Sequence, residues 1–474
     1  MITPNWKRLL RQTAEAAISH LEGLDERPVA APASAEDLLA SIGGPLPHGP
    51  SAPEKVIGDL VAAADQGLAA MPSGRWFGYV IGGALPAALA ADWLTSTWDQ
   101  NAAMSEPTPA AMVVEQVAAR WLLELLQLPE HASIGFVTGC QMAHVTCLAA
   151  ARDAVLRAEG WDVEADGLQA APRVRVVLGA DAHDTVARSL RLLGLGATHR
   201  VVATDDQGRM RPEALADALA GGAEPTVVCA QIGNVNTGAV DPLDALADVV
   251  DEQRGQRPDT IWLHVDGAFG LWAAASPTRG RLLRGVQRAD SWATDAHKWL
   301  NVPYDSGIAI CARPDAHRRA MSVHASYLPT PAGAGRDALD WTPEFSRRAR
   351  GFAIYAALRE LGRIGAADLV DRCCDLAERF AVTLSVVDGV EIVNQVVLNQ
   401  VLVRFRDPLG VDDDGHTRAV LERVRRNGTC FMSGTTWRGA ACMRISVSNW
   451  STTPEDVDTS VAVLVAAHRS TGAR

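Results

Sequence analysis

The stretch Trp262-Leu-His-Val-Asp266-Gly-Ala268 carries the main information about the fold. It belongs to an apolar run that ends in an acidic residue and a small turn, which is typical of a strand buried on both faces of a parallel sheet. A carboxylate at the end of such a strand needs a cationic partner, because burying an unpaired charge is costly. Asp266 therefore indicates either a structural ion pair with a buried arginine or a site that binds a protonated ring nitrogen.

Similar β-branched runs lie on both sides of this stretch, and helical segments separate them. The sequence predicts strands at 173–178, 226–232, 261–265 and 307–310, and helices at 141–157, 185–193 and 243–252. Strands that alternate with helices predict an α/β domain with a mostly parallel sheet. Functional residues are then expected near the loops that connect these strands.

The flanking segments have a different character. We predict an N-terminal helical arm at 1–70, with a Pro-rich connector at 28–53, a large cofactor-binding α/β domain at 71–350 and a smaller α+β domain at 351–474. The apolar stripe of the arm is expected to pack on a partner subunit or on the core of its own chain. The segment 328–336, with two prolines and two glycines, is predicted to act as a lid.

Composition excludes several classes of protein. The chain has 474 residues, 48% hydrophobic and 21% charged, with a net charge of −12. This is globular composition, and the lack of a basic run argues against nucleic acid or an anionic membrane as a partner. No apolar stretch reaches the roughly 20 residues of a membrane helix. The eight cysteines form no CxxC pair, so we predict a cytoplasmic protein with free thiols and no metal site.

Lysine is scarce in this chain, which makes one lysine conspicuous. The 44 basic residues include only Lys7, Lys55 and Lys298. An arginine cannot form an imine with an aldehyde, whereas a lysine amine can. Lys7 and Lys55 lie in polar helical segments and are predicted to be solvated charges. Lys298 follows a histidine in Asp290-Ser-Trp-Ala-Thr-Asp-Ala-His297-Lys298-Trp and is the candidate nucleophile.

A third feature completes a set of anchors. Thr138-Gly139-Cys140-Gln141 lies between an apolar piece at 134–137 and a long helix, so its backbone N–H groups could hold a phosphate, although such turns also occur merely as helix starts. Together, this turn, Asp266 and Lys298 match the phosphate, ring nitrogen and aldehyde of pyridoxal phosphate. We therefore infer pyridoxal phosphate as the cofactor.

Motifs in the same order along the chain resemble the group II pyridoxal-phosphate-dependent amino acid decarboxylases, which include the aromatic-L-amino-acid and glutamate decarboxylases. His264-Val-Asp266 and His297-Lys298-Trp299 are the most specific matches. The other matching segments are Arg75–Tyr79, Thr138–Ala143, Ala182–His183, Gly233–Pro242, Ser346–Arg348 and Met443–Ser446. The resemblance implies the fold of the aspartate aminotransferases (fold type I) and a homodimer with its active site at the interface.

The resemblance also implies roles for individual residues. Lys298 would form the Schiff base, and Asp266 would keep the pyridine nitrogen protonated. His183 would stack on the ring, or else be a hydrogen-bonded core histidine. The remaining cofactor contacts would come from Gly139, Cys140, Gln141, Asn234, Ala268 and His297. Arg444 matches a substrate-carboxylate position, with an ion pair as the alternative, and Trp76, Tyr79 and Trp98 are candidate substrate contacts or core residues.

The expected reaction is decarboxylation of an L-amino acid, with an aromatic or other bulky side chain favoured, through a quinonoid carbanion to the amine and carbon dioxide. Relatives carry a tyrosine on the lid that is thought to protonate this carbanion, but the matching place here falls near Ala338, and the nearby tyrosine is Tyr327. The proton could then come from Tyr327, His183 or water. Slow protonation would favour oxygen-dependent formation of an aldehyde. An aminotransferase and a non-catalytic cofactor carrier are further alternatives.

Overall fold

The computed structural model describes residues 5–196, 199–255, 257, 259–323 and 336–471. Its helices are α1 (Trp6–Glu22), α2 (Ala35–Ile42), α3 (Pro53–Ala64), α4 (Pro86–Trp98), α5 (Pro109–Leu125), α6 (Cys140–Arg157), α7 (Val163–Asp166), α8 (Asp184–Leu192), α9 (Pro212–Leu219), α10 (Leu243–Arg254), α11 (Pro314–Met321), α12 (Gly351–Ser385, bent at Gly362), α13 (Asp413–Asn427) and α14 (Pro454–Thr471). Its strands are β1 (Trp76–Phe77), β2 (Ser133–Val137), β3 (Arg175–Gly179), β4 (Arg200–Val202), β5 (Thr226–Gln231), β6 (Ile261–Asp266), β7 (Ser291–Asp295), β8 (Gly307–Cys311), β9 (Val390–Ile392), β10 (Gln400–Phe405), β11 (Phe431–Trp437) and β12 (Ala440–Ser446).

The central feature is a seven-stranded sheet in the order β2-β8-β7-β6-β5-β3-β4. Strand β8 is antiparallel to both of its neighbours, and the other pairs are parallel, which confirms the predicted α/β architecture. Both faces of the sheet are covered. In β5, Val227 and Cys229 contribute to one apolar cluster while Val228 and Ala230 contribute to another. Burial on both faces explains why the strand sequences are apolar without alternation.

Strand β7 was not predicted, although it leads directly to Lys298. Its sequence Ser-Trp-Ala-Thr-Asp lacks a β-branched run, yet all five residues are buried between β6 and β8. The polar Ser291 is tolerated there because its hydroxyl has hydrogen-bond partners on β6. Hydrogen bonding that only the folded chain provides therefore makes a polar pentapeptide a core strand.

A second sheet in the order β1-β11-β12-β10-β9 includes the two strands predicted at 397–405 and 443–447. Strand β1 pairs with β11, so residues 76–77 of the predicted 71–350 domain belong to the same sheet as strands from 351–474. The predicted domain bounds 1–70, 71–350 and 351–474 stay predictions. Asn301, three residues after Lys298, ties the neighbouring segments together. Its amide donates to the carbonyl oxygen of Ser448 over 2.9 Å and accepts from the amide of Trp450 over 2.9 Å.

The N-terminal arm consists of α1, α2 and α3, none of which contains a buried residue. Helix α2 lies inside the predicted connector, where Ser34 and Asp37 form a reciprocal capping box. The connector prediction missed this cap because the surrounding prolines dominated the pattern. In the described part of the chain, no helix combines the length and the apolar character needed to cross a membrane.

Candidate active site

The ends of β5, β6 and β7 and the start of α6 border an open cavity of about 630 Å³. Carboxyl ends of parallel strands meet at one edge of a sheet, which is where α/β proteins bind ligands. The cavity is lined by Tyr79, Val80, Gly139, Cys140, Gln141, Asp181, Ala182, His183, Asp184, Thr185, Gln231, Gly233, Val235, Asn236, Asp266, Ala268, Phe269, Asp295, His297, Lys298, Thr435, Thr436, Trp437, Arg438 and Arg444. Most of the predicted site residues are therefore brought together.

Lys298 is the one lysine among the described residues that line this cavity. Its Nζ lies 3.1 Å from Oδ2 of Asp295, the last residue of β7. Burial alone would lower the pKa of Lys298, but the negative charge of Asp295 raises it above its usual value. The amine is consequently protonated in this arrangement, and Asp295, which the sequence analysis did not single out, is its counter-ion.

Asp295 also organises the groups next to the lysine. Its Oδ1 accepts a hydrogen bond of 2.5 Å from the backbone N–H of Cys140 and lies 3.3 Å from Nε2 of His297. His297 Nδ1 accepts from the backbone N–H of Ser306 over 3.0 Å, so in the neutral ring Nε2 carries the proton and donates to Asp295. Burial lowers the pKa of His297, which favours this neutral ring.

The predicted phosphate turn lies at the N-terminus of α6, where the backbone N–H groups of Met142 and Ala143 donate to the carbonyl oxygen of Gly139 and that of Gln141 has no partner among the described residues. A Cβ on Gly139 would lie 3.2 Å from Cε1 of His297, and one on Gly307 would lie 2.4 Å from Cα of Gly139. The two glycines thus allow the turn before α6, the segment around His297 and the start of β8 to approach one another closely. The side chain of Gln141 is less available to a bound phosphate, because its Nε2 donates a hydrogen bond to Oγ of Ser189 on α8. The backbone N–H of Cys140, which was predicted to bind the phosphate, already donates its hydrogen bond to Asp295.

Asp266 is buried at the end of β6 and faces the same cavity. Its Oδ1 accepts from the backbone N–H of Ala268 over 3.1 Å and lies 3.6 Å from Nε2 of His144. Burial would raise the pKa of Asp266, but His144, and less strongly Lys298, hold it below its usual value. The carboxylate is therefore anionic and suited to a cationic N–H group in the cavity.

His183 occupies the N-cap of α8 at the rim of the cavity. Its Nδ1 lies 2.8 Å from Oγ1 of Thr185 and accepts from the Thr185 backbone N–H. Loss of solvent around the ring lowers the pKa of His183. A neutral imidazole at this rim can exchange a proton at Nε2 with a bound molecule.

Arg444 on β12 reaches the cavity from the second sheet. It is buried, its Nη1 donates to the carbonyl oxygen of Val235 over 3.3 Å, and its Nε has no hydrogen-bond partner among the described residues. Burial lowers the pKa of the guanidinium. A buried arginine with spare donors is suited to an anionic ligand.

Several predicted residues do not line the cavity. Asn234 is buried and bonds to the carbonyl oxygen of Asp181 and to the N–H groups of the following loop. Trp76 is buried and stacks on Phe431 with ring centroids 4.2 Å apart. Trp98 is half exposed and packs edge-on against Phe352. Tyr327 and most of the predicted lid lie outside the described residues.

The sequence analysis missed a group of wall residues on the turn between β11 and β12. Arg438 donates to Oδ2 of Asp181 over 2.8 Å, and its guanidinium lies 4.6 Å from the ring of Trp437. These contacts form one wall of the cavity from segments far apart in sequence. Tryptophan content was a signal, but it did not distinguish Trp437 from the core tryptophans.

His144 was also missed, and it lies directly behind the cavity wall. Its position four residues after Cys140 on α6 was a usable signal, because residues so spaced share one face of a helix. Ligand-type atoms of Cys140, His144 and Asp266 lie within 4.8 Å of one another. A hydrogen-bonding contact of 3.4 Å between His144 Nε2 and Cys140 Sγ and an electrostatic contact of 3.6 Å between His144 Nε2 and Asp266 Oδ1 account for this closeness. The prediction that no metal is bound stays a prediction.

Comparisons with known proteins find relatives that span most of this chain. The family profile described as "Pyridoxal-dependent decarboxylase conserved domain" matches residues 36–406. An aromatic-L-amino-acid decarboxylase from Bacillus atrophaeus is 25% identical over 95% of this chain and 93% of its own length. A phenylacetaldehyde synthase from Arabidopsis thaliana is 27% identical over 85% of this chain and 83% of its own length.

Solved structures show the same fold. The structure of an Oryza sativa protein, described as TDC with PLP and tryptamine, superposes with a TM-score of 0.91. It covers 99% of both chains at 22% sequence identity. The arrangement of two sheets around the cavity is thus shared with a protein that has been solved with a cofactor and an aromatic amine.

Proposed function

Because the chain belongs to the pyridoxal-dependent decarboxylase family and is therefore a pyridoxal-phosphate-dependent amino acid decarboxylase, we propose that its substrate is an L-amino acid with an aromatic or other bulky side chain. The products are the corresponding amine and carbon dioxide. The observation that carries this proposal is the convergence of Lys298, Asp266 and the start of α6 on one cavity. The similarity to an aromatic-L-amino-acid decarboxylase supports the choice of substrate class.

The residues around the cavity fit pyridoxal phosphate by their chemistry. Lys298 supplies the amine for covalent attachment, and Asp266 supplies a buried anion for the ring nitrogen. The backbone N–H of Gln141 at the start of α6 has no partner among the described residues and suits the phosphate, and His297 lies beside this turn. When bound, this cofactor withdraws electrons from the Cα bond that breaks.

Attachment requires the neutral amine of Lys298, while the resting amine is protonated beside Asp295. Asp295 lies 3.1 Å from this amine and stabilises its protonated form, so the amine must lose its proton before it can attack the aldehyde. His297 donates to the opposite oxygen of Asp295, which holds the carboxylate in place. Asp295 therefore controls when the lysine can react.

Carbon dioxide would be lost only from a substrate that the cavity holds in one orientation. Arg444 has unused donors toward the cavity and would hold a carboxylate of the substrate. Tyr79 and Trp437 line the cavity and offer aromatic surface to a bulky side chain. These contacts would come from the second sheet and from the loop that follows β1.

The last step returns a proton to Cα. His183, whose ring faces the cavity and is neutral, is placed to deliver it. Tyr327 remains a second proposed donor from outside the described residues. If neither donor acts rapidly, molecular oxygen would oxidise the substrate instead, and with water this would give an aldehyde, carbon dioxide, ammonia and hydrogen peroxide, which is the second candidate outcome. Similarity to a phenylacetaldehyde synthase favours keeping this outcome in the test.

We further propose a homodimer with the cavity near its interface. Helices α1, α2 and α3 bury none of their residues against the rest of the chain, and their exposed apolar side chains include Trp6, Leu10, Ile18, Leu39, Ile42, Val56 and Leu60. A second copy of this chain would cover this surface. Light scattering coupled to size-exclusion chromatography should give twice the mass of 50.4 kDa. A monomer at micromolar concentration would contradict this.

Two experiments test the proposed function. Borohydride reduction of the holoenzyme followed by peptide mass spectrometry should place the coenzyme on Lys298, and Lys298→Arg should carry none. Screening the twenty amino acids for carbon dioxide, amine, aldehyde, peroxide and keto acid should give carbon dioxide and amine in equal amounts from an aromatic substrate. Equal carbon dioxide and aldehyde with peroxide would support the oxidative outcome. Keto acid without carbon dioxide would indicate an aminotransferase and overturn the proposal.

A further inference from the structure

A continuous chain of buried polar side chains runs behind the cavity to Asp266. We call Trp262, Ser291, His264 and His144 the relay. Trp262 Nε1 donates to Ser291 Oγ over 2.8 Å, and Ser291 Oγ lies 2.8 Å from His264 Nδ1. His264 Nε2 lies 2.9 Å from His144 Nδ1, and His144 Nε2 lies 3.6 Å from Asp266 Oδ1. None of the four lines the cavity, and each is fully buried.

Sequence spacing brings the relay to the carboxylate. His264 and Asp266 are two residues apart on β6, so their side chains leave the same face of the sheet. His144 lies on the first turns of α6, which packs on that face. The two histidine rings meet edge to face with centroids 5.2 Å apart. A strand and a helix thus cooperate to place an imidazole against Asp266.

The relay has a defined direction. The indole of Trp262 can only donate, so the Ser291 hydroxyl is free to donate to Nδ1 of His264. Burial lowers the pKa of His264 to about 3, so this ring is neutral and must donate from Nε2 if it accepts at Nδ1. His144 then accepts at Nδ1 and carries a proton on Nε2. The opposite direction would place a lone pair of His144 against the anion of Asp266.

We propose that His144 is a positioning residue, which holds Asp266 as an anion facing the ring nitrogen of the bound coenzyme. The inference rests on the proposed role of Asp266 and deepens it. A donor at Nε2 stabilises the carboxylate relative to the carboxylic acid, and the carboxylate in turn keeps the ring nitrogen protonated. The relay therefore sets how strongly the cofactor withdraws electrons, although it does not touch the substrate.

The test compares three variants of the full chain. His144→Leu removes both ring nitrogens, and His144→Gln keeps a donor that can reach Asp266. His317→Leu is the matched control, because His317 is equally buried, with its Nδ1 2.8 Å from Ser133 Oγ and its Nε2 3.0 Å from the carbonyl oxygen of Trp341. It lies outside the cavity wall and the relay.

The two readouts are the ¹⁵N chemical shift of the pyridine nitrogen in bound [¹⁵N]pyridoxal phosphate and the dissociation constant of the apoenzyme for the coenzyme. His144→Leu should move the shift toward the unprotonated ring and weaken binding about fivefold, because the 3.6 Å contact with Asp266 is longer, and so weaker, than a hydrogen bond to a charged group. His144→Gln should retain the wild-type shift. A wild-type shift and affinity in His144→Leu, or an equal change in His317→Leu, would overturn the proposal.

If His144→Leu does not fold, a smaller substitution elsewhere in the relay still tests the proposal. Ser291→Ala removes only the hydroxyl at the far end of the relay. In the apoenzyme the imidazole ¹⁵N shifts should place the protons of His264 and His144 on Nε2, and Ser291→Ala should shift the His264 Nδ1 resonance, which loses its donor. A proton on Nδ1 of His144, or an unchanged His264 Nδ1 resonance in Ser291→Ala, would overturn the relay. Failure of the proposed function looks different, because the wild-type protein would then carry no coenzyme on Lys298.

Discussion

From the ion pair between Lys298 and Asp295 we predict how Asp295→Asn changes the protonation of Lys298. The two charged atoms are 3.1 Å apart, and their Coulomb attraction is about 1 kcal/mol in water and about 5 kcal/mol at an effective dielectric constant of about 20. The substitution removes this attraction and should therefore lower the pKa of Lys298. Since about 1.4 kcal/mol is a factor of ten, the neutral fraction of the amine at pH 7 should rise about tenfold or more. Asparagine can still accept from the Cys140 N–H, so the turn should keep its shape.

The assay is the rate at which the apoenzyme attaches pyridoxal phosphate, followed as a function of pH by the absorbance of the product. Only the neutral amine attacks the aldehyde, so the rate rises as pH passes the pKa of Lys298. In Asp295→Asn the midpoint should move to lower pH, and attachment at pH 7 should be about tenfold or more faster. The limiting rate at high pH should change little.

Asp184→Asn is the matched control, because Asp184 lines the same cavity without contacting Lys298. It should leave the midpoint in place. A midpoint in Asp295→Asn that stays at the wild-type pH or moves upward would refute the reasoning, because Asp295 would then not be the group that keeps the amine protonated. Circular dichroism spectra and thermal unfolding of both variants check that the fold is intact.

Three further predictions concern stability and substrate binding. Arg347→Met should lower the free energy of unfolding by about 3–5 kcal/mol in urea titrations, because it leaves Glu115, 2.7 Å away, as an unpaired buried group. Arg444→Gln should lower kcat/KM about 10- to 100-fold through its lost bond to a substrate carboxylate, with Arg444→Lys in between. Burial lowers the pKa of His317 to about 3, so between pH 6.5 and that value only the unfolded chain takes up the proton and stability falls with falling pH. His317→Gln should lose about 2–3 kcal/mol less than the wild type between pH 6.5 and 4.5 in the same titrations.

Each of these predictions has an outcome that contradicts it. If the double variant Glu115→Gln/Arg347→Met is no more stable than Arg347→Met alone, the loss does not come from the unpaired carboxyl group. An Arg444→Gln enzyme with wild-type kcat/KM would remove Arg444 from the proposed substrate site. Equal acid sensitivity of His317→Gln and the wild type would mean that His317 takes up its proton without unfolding.

The sequence alone determined the chemistry that a small set of residues can perform. Lysine scarcity pointed to Lys298, and a carboxylate after a buried strand pointed to Asp266. Both signals are local, because an amine near apolar flanks and an acid at a strand end are unusual wherever they occur. The parallel sheet was predictable for the same reason, since burial on both faces removes alternation from strands such as β5.

Only the tertiary structure decided which groups control those residues. Asp295 and His144 face Lys298 and Asp266 because β7, β6 and α6 pack side by side, and no periodicity in the sequence states which neighbours a folded strand will have. Polar Ser291 became part of a core strand for the same reason, through partners on β6. The amino-acid sequence specifies which reactive groups are present. The pKa of each group, however, depends on distances of a few ångströms between segments that meet only in the folded chain.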